Sequence, residues 1–222
     1  MNITEWKALS GKEQTLWLEA NAPISGLGKP RGKVHGVGVN DAIYVVNLKI
    51  GGKRIACPAY LAWERALKRA YSPAFHENSR TYIGVEVCEG WHSFSTFRVW
   101  WLDNQIDGWQ LDKDLLTGSR EYSPESCLFV PRWLNNFTTG SAAKRGEWPI
   151  GVSWYEQGNK FQSKCCNPFG KRDHLGYFPT AEDAHQAWRA RKLELAQEYK
   201  AQMDEIDDRI YARVIQIIND AK

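Results

Sequence analysis

The chain has 222 residues, 43% hydrophobic and 25% charged, with 29 Lys and Arg against 26 Asp and Glu for a net charge of +3. That composition describes a globular chain of one or two domains with a real core, and it excludes disordered, collagen-like and low-complexity structure. Charge is uneven along it: residues 1–60 carry 8 basic and 4 acidic side chains, 61–140 carry 8 and 10, 141–200 carry 10 and 7, and 201–222 carry 3 and 5.

The opening residues MNITEWKALSGKE lack the charged-then-apolar order of a signal peptide, and no run of 18 apolar residues follows. The expectation is a cytoplasmic protein with no membrane partner. Ile3, Trp6, Leu9, Leu16, Trp17 and Ala20 recur near helical spacing, with Asn21 and Pro23 behind them, and predict one N-terminal helix. Residues 23–40 are rich in Gly and Pro and carry Lys29, Arg31 and Lys33. They read as a loop, either a linker or a basic arm for a phosphate backbone.

Residues 42–56 hold two β-branched or apolar runs around Gly51-Gly52, a hairpin by turn chemistry. Pro58 opens a predicted helix through Tyr71. An aromatic-rich stretch follows and ends in a second predicted helix, SFSTFRVWWLDN.

The segment from Gln110 to Phe137 carries Leu111, Asp112, Asp114, Tyr122, Ser123, Pro124, Glu125, Cys127, Phe129 and Val130, then Asn135 and Asn136. This order resembles the strand, strand, helix core of HNH-type nucleases, in the form found in phage homing endonucleases. The resemblance implies a divalent cation, Mg²⁺ or Mn²⁺, on Asp112, Asp114 and Asn136, whose hard oxygens suit such an ion. It also implies metal-assisted hydrolysis of a phosphodiester. In the family a His directly after the first Asp serves as general base; Lys113 stands there, near phosphate, and His92 and His76 are the nearest candidates for the base. An acidic middle between basic flanks suits this reading. Trp91, Trp100, Trp101 and Trp109 are expected to form the floor of the centre. Without a base the same segment is a catalytically degenerate DNA binder or regulator, and a factor that engages a host protein through its aromatic surface is a third reading.

Five cysteines, Cys57, Cys88, Cys127, Cys165 and Cys166, are an odd count in a chain too large to need staples, which favours reduced, structural thiols. Cys88 and His92 have C-x-x-x-H spacing but no C-x-x-C pair accompanies them, so structural zinc is disfavoured.

Residues 146–190 carry Gly151, Val152, Trp154 and Phe161, then Leu175-Gly176-Tyr177-Phe178, Thr180, Glu182, Ala184, Ala187 and Trp188. They resemble the apetala-type DNA-binding domain of ethylene-response factors, a three-stranded antiparallel sheet packed on one helix, which implies double-stranded DNA as partner. The residues alone give the same outline: Gly158-Asn159 and Asn167-Pro168 are turn signals, and Thr180 with Asp183 is a helix N-cap pattern. Period-two alternation sets Val152, Trp154, Phe161, Ser163 and Cys165 on a core face, and Ser153, Tyr155, Lys160, Gln162 and Lys164 outward. Lys160, Lys164, Lys171 and Arg172 would hold phosphates, while Gln162 and Arg172 have donors for base edges.

From Thr180 a single long helix is predicted to near the end of the chain. Its part beyond residue 200 exceeds the sheet and is expected to pack on the middle segment, on the N-terminal helix, or on a second copy as a homodimer. The expected fold class is α+β: residues 1–57 as helix, basic loop and hairpin, 58–140 as a ββα-metal HNH-like core, 146–200 as the DNA-binding domain, and 201–222 as a helical extension. If phage-encoded, the protein would work in the cytoplasm of an infected bacterial host.

Overall fold

In the computed structural model, which describes residues 1–25, 32–138 and 147–221, the N-terminal run forms two helices rather than one, α1 (Ile3–Ala8) and α2 (Gly11–Asn21). Leu9 is extended, and Ser10 caps α2 by accepting from the Glu13 backbone while the Glu13 carboxylate accepts from Ser10 N. This reciprocal pair satisfies two orphan donors and restarts the helix on a new axis. Lys29 and Arg31 of the expected basic arm lie outside the described residues.

The fold is α+β with four small sheets among the described residues. The chain divides into two units, Met1–Phe129 and Val130–Lys222. Segments 1–57 and most of 58–140 therefore share the first unit, and 146–200 and 201–222 share the second.

In the first unit β1 (Asn47–Ile50) and β2 (Lys53–Ala56) form the predicted hairpin. Gly51 and Gly52 turn it with φ of +55° and +79°, the left-handed pair a two-residue hairpin requires. Helix α3 (Pro58–Tyr71) has the predicted limits and buries Trp63, Ala66, Leu67 and Ala70. The Trp63 indole donates to the Trp91 carbonyl at 2.7 Å, so its one polar atom is satisfied inside the core. After α4 (Pro73–Asn78) come β3 (Glu86–Val87) and α5 (Phe94–Asn104). Strand β4 (Gln110–Asp112) pairs with β6 (Leu128–Val130), and β5 (Glu121–Tyr122) pairs with β3 in parallel. Trp91 and Trp101 are buried, Trp100 stacks on Phe129 of β6 at 5.9 Å, and Trp109 packs against the same cluster.

The second unit begins with α6 (Arg132–Thr138) and contains an antiparallel sheet of β7 (Val152–Tyr155), β8 (Lys160–Cys166) and β9 (Arg172–Phe178) in that order. Helix α7 (Ala181–Glu198), capped by Thr180, packs across it. Gly151 enters β7 at φ +83°, and a Cβ there would stand 2.2 Å from Trp188 Cδ1. Trp188 is core as expected, but Trp154 is 40% exposed on edge strand β7, its ring 4.8 Å from Phe161.

The predicted long C-terminal helix is three: α7, α8 (Lys200–Asp204) and α9 (Arg209–Asp220). The chain breaks at Tyr199 and again around Asp207-Asp208, and α9 folds back on α7 and α6. Its stripe of Ile210, Val214 and Ile218 is buried there. The His185 ring nitrogens lie 3.0 Å from the Ile150 carbonyl and 3.2 Å from that of Ala221, which fixes the end of the return. No helix among the described residues is long and apolar enough to cross a membrane.

Candidate nucleic-acid interface and metal centre

The register of the three-stranded sheet decides which side chains look away from α7. Ser153, Gln162 and Tyr177 stand in one row, with Tyr155 and Lys160 on one side of it and Lys164 with His174, then Cys166 with Arg172, on the other. A bulge between Ser163 and Lys164 shifts the count on β9. Without it His174 and Arg172 would share the side of Phe178.

Every DNA-contact residue expected from the strands, Ser153, Tyr155, Lys160, Gln162, Lys164 and Arg172, lies on this outward face. Lys171 sits beside it in the turn that the Asn167 side chain closes by accepting from Phe169 N and Lys171 N at 3.0 Å. Lys160, Lys164, Lys171 and Arg172 are exposed and make no ion pair among the described residues. Asp173 points to the other side, where Arg191 pairs with it. Sequence reasoning missed Tyr177 and His174. The Tyr177 ring meets Tyr155 across β8 at 4.7 Å and His174 at 4.9 Å.

The centre expected at Asp112 is built differently. Asp112 Oδ1 accepts from Asp114 N at 2.8 Å and Leu115 N at 2.9 Å, closing a turn with its side chain. Burial raises its carboxyl pKa, and the two N–H donors pull the other way. Lys113 is buried, its ammonium donating to the exposed Asp114 carboxylate and, at 3.4 Å, to the Ser119 carbonyl. Asn136 is exposed on α6 and belongs to the second unit. His92 places Nε2 3.3 Å from the Tyr71 hydroxyl, and His76 places its own 2.8 Å from the Arg69 carbonyl. Nearby, burial pushes the Cys127 thiol up to about 12 and keeps it a protonated, structural group.

Whether these residues fit a divalent ion follows from their partners. An ion on Asp114 would meet the Lys113 ammonium already there, and one Asp112 oxygen is committed to the backbone. As placed, Asp112 and Asp114 do not fit the ion. Among the described residues no three His, Cys, Asp or Glu side chains are gathered closely enough to hold a metal. No protein-family model, curated protein or solved structure matches the chain.

Proposed function

We propose that the protein binds DNA through the outward face of β7, β8 and β9. The observation that carries this reading is the charge of that face: Lys160 and Lys164 flank Gln162 along β8, Arg172 stands farther along the same face with Lys171 at its end, and no Asp or Glu occupies an outward strand position. Cations on phosphates release counterions and supply affinity, whereas Gln162 and Arg172 have the donors to read base edges. Ser153 and Tyr155 are further contact positions, and a sheet on one helix suits the apetala-type resemblance with double-stranded DNA as ligand. Anisotropy of a labelled duplex titrated across salt tests it. Lys164→Ala should reduce the slope of log K against log salt by about one, and an unchanged slope overturns the docking.

Metal-dependent cleavage is the second reading, favoured by the pairing of β4 with β6 and the start of α6 two residues after β6, the element order of an HNH core. Because Lys113 and the Asp112 turn do not fit Mg²⁺ or Mn²⁺, the geometry suits a degenerate centre better, in a DNA-binding regulator that works in the cytoplasm alone or with a host protein. Incubating plasmid DNA with the protein and either ion separates the two. Nicks that vanish in Asp112→Asn make it an endonuclease; binding without cleavage makes it a binder.

A further inference from the structure

We infer that the outward face of the sheet is a stacking platform for unpaired bases, so that its ligand is single-stranded or locally opened nucleic acid. This rests on the reading that the face meets nucleic acid, and it takes unpaired bases in place of the intact duplex as the ligand the face prefers.

Three rings form a row over all three strands: Tyr155 from β7 reaches across β8 to Tyr177 on β9, and His174 flanks Tyr177 on the same strand. Tyr177 is 45% exposed. Its hydroxyl lies 3.4 Å from Gln162 Nε2, and the Tyr155 hydroxyl donates to Gln157 Oε1 at 2.8 Å, so both phenols have partners within the domain. Lys160 and Lys164 stand on β8 beside the rings and Arg172 beyond them.

In a duplex the faces of the bases are covered by their neighbours and only edges are offered in a groove. A groove reader therefore needs long donors at the centre of its sheet. Here the middle strand β8 supplies such donors from Lys160, Gln162 and Lys164, but Tyr155 and Tyr177 meet across that strand and put ring surface where a base edge would have to dock. Flat rings gain most from bases that are free to lie on them, while cations around the rings follow the backbone, the combination that binds single strands with little sequence preference. An apolar protein partner is a poorer match, because the cations would be buried without carboxylates of this face beside them.

The test uses the full chain with labelled oligonucleotides of about 12 residues, dT and rU strands and a duplex, since a base-stacking site spans a few nucleotides. The single strand should bind about tenfold tighter than the duplex. Tyr177→Leu should weaken single-strand binding about tenfold and duplex binding less than twofold, and Tyr177→Phe should keep the wild-type affinity. A strand carrying 2-aminopurine should change fluorescence on binding to wild type, and not with Tyr177→Leu. If that variant does not fold, Tyr155→Leu and His174→Leu carry the same expectation. The ratio of dT to rU affinity identifies DNA or RNA as the source. Tighter duplex than single-strand binding, or equal losses on both, overturns the inference. A Lys164-dependent salt slope with the duplex alone leaves the docking reading standing, and no binding to any probe removes both.

Discussion

The Lys192 ammonium lies 3.6 Å from the centre of the Phe137 ring, which ties α7 to α6. It is 7% exposed and donates to the Cys166 carbonyl at 3.4 Å. Burial pushes its pKa down to about 8 from the ordinary 10.5. The folded protein therefore holds this proton less tightly than the unfolded chain. Below pH 8 the buried charge is a constant cost, and between 8 and 10.5 that cost fades as the pH rises. Lys192→Met keeps the length and removes the charge. It should be more stable than wild type by about 1–2 kcal/mol at pH 7, with the gap narrowing toward pH 10. Urea melts at several pH values check this, and a gap independent of pH would show that desolvation is not its cause.

Ser163 faces α7 from the middle of β8 with its hydroxyl buried and without a hydrogen-bond partner among the described residues. An unsatisfied hydroxyl costs about 1–3 kcal/mol, so Ser163→Ala should raise stability by about 1 kcal/mol. A thermal melt that falls instead would mean that the hydroxyl has a partner, such as a bound water.

Much of this fold is legible because its signals are local. Pro58 starts α3 through its fixed φ, Gly51-Gly52 turns the hairpin through positive φ, and Thr180 opens α7 by accepting from Asp183 N, each within four residues. The Ser10–Glu13 box is equally local, but the helical periodicity of Ile3 to Ala20 runs straight through it. The breaks around Tyr199 and Asp207-Asp208 carry no Gly or Pro; the return of Ile210, Val214 and Ile218 onto α7 and α6 is a tertiary gain that no window of sequence contains. His174 was hidden by the bulge at Ser163/Lys164, since period-two counting from Phe178 puts it on the wrong face. At Asp112 the same spacing serves two chemistries: an Asp two residues before another is equally a pair of ion ligands or an acceptor for the N–H groups that follow.

Gly151 tests the seat of α7 on the sheet. Alanine there must adopt φ +83° and place its Cβ 2.2 Å from Trp188 Cδ1 and 2.8 Å from its Cβ. The contact lies near the helix backbone, so no flexible side-chain tip can yield. Gly151→Ala should cost about 3 kcal/mol, strain and overpacking together. Loss of Trp188 burial, read by acrylamide quenching against a Trp188→Phe control, would accompany it; an unchanged melting temperature would contradict the packing described.

Asp112 distinguishes a turn-former from a metal ligand without any metal. Asparagine keeps Oδ1 for Asp114 N and Leu115 N and removes a carboxylate whose ionised form burial disfavours. Alanine removes the acceptor and leaves two N–H groups without it. Asp112→Asn should therefore lie within about 0.5 kcal/mol of wild type near neutral pH, while Asp112→Ala should lose about 1–2 kcal/mol. The pH dependence follows from the raised carboxyl pKa: the folded state holds that proton more tightly, so as pH falls through the carboxylate range wild type should gain relative to Asp112→Asn. Denaturant melts of the three proteins at pH 7 and near pH 4 make the comparison. Equal losses for Asn and Ala would show that the charge, and not the acceptor, supports the loop.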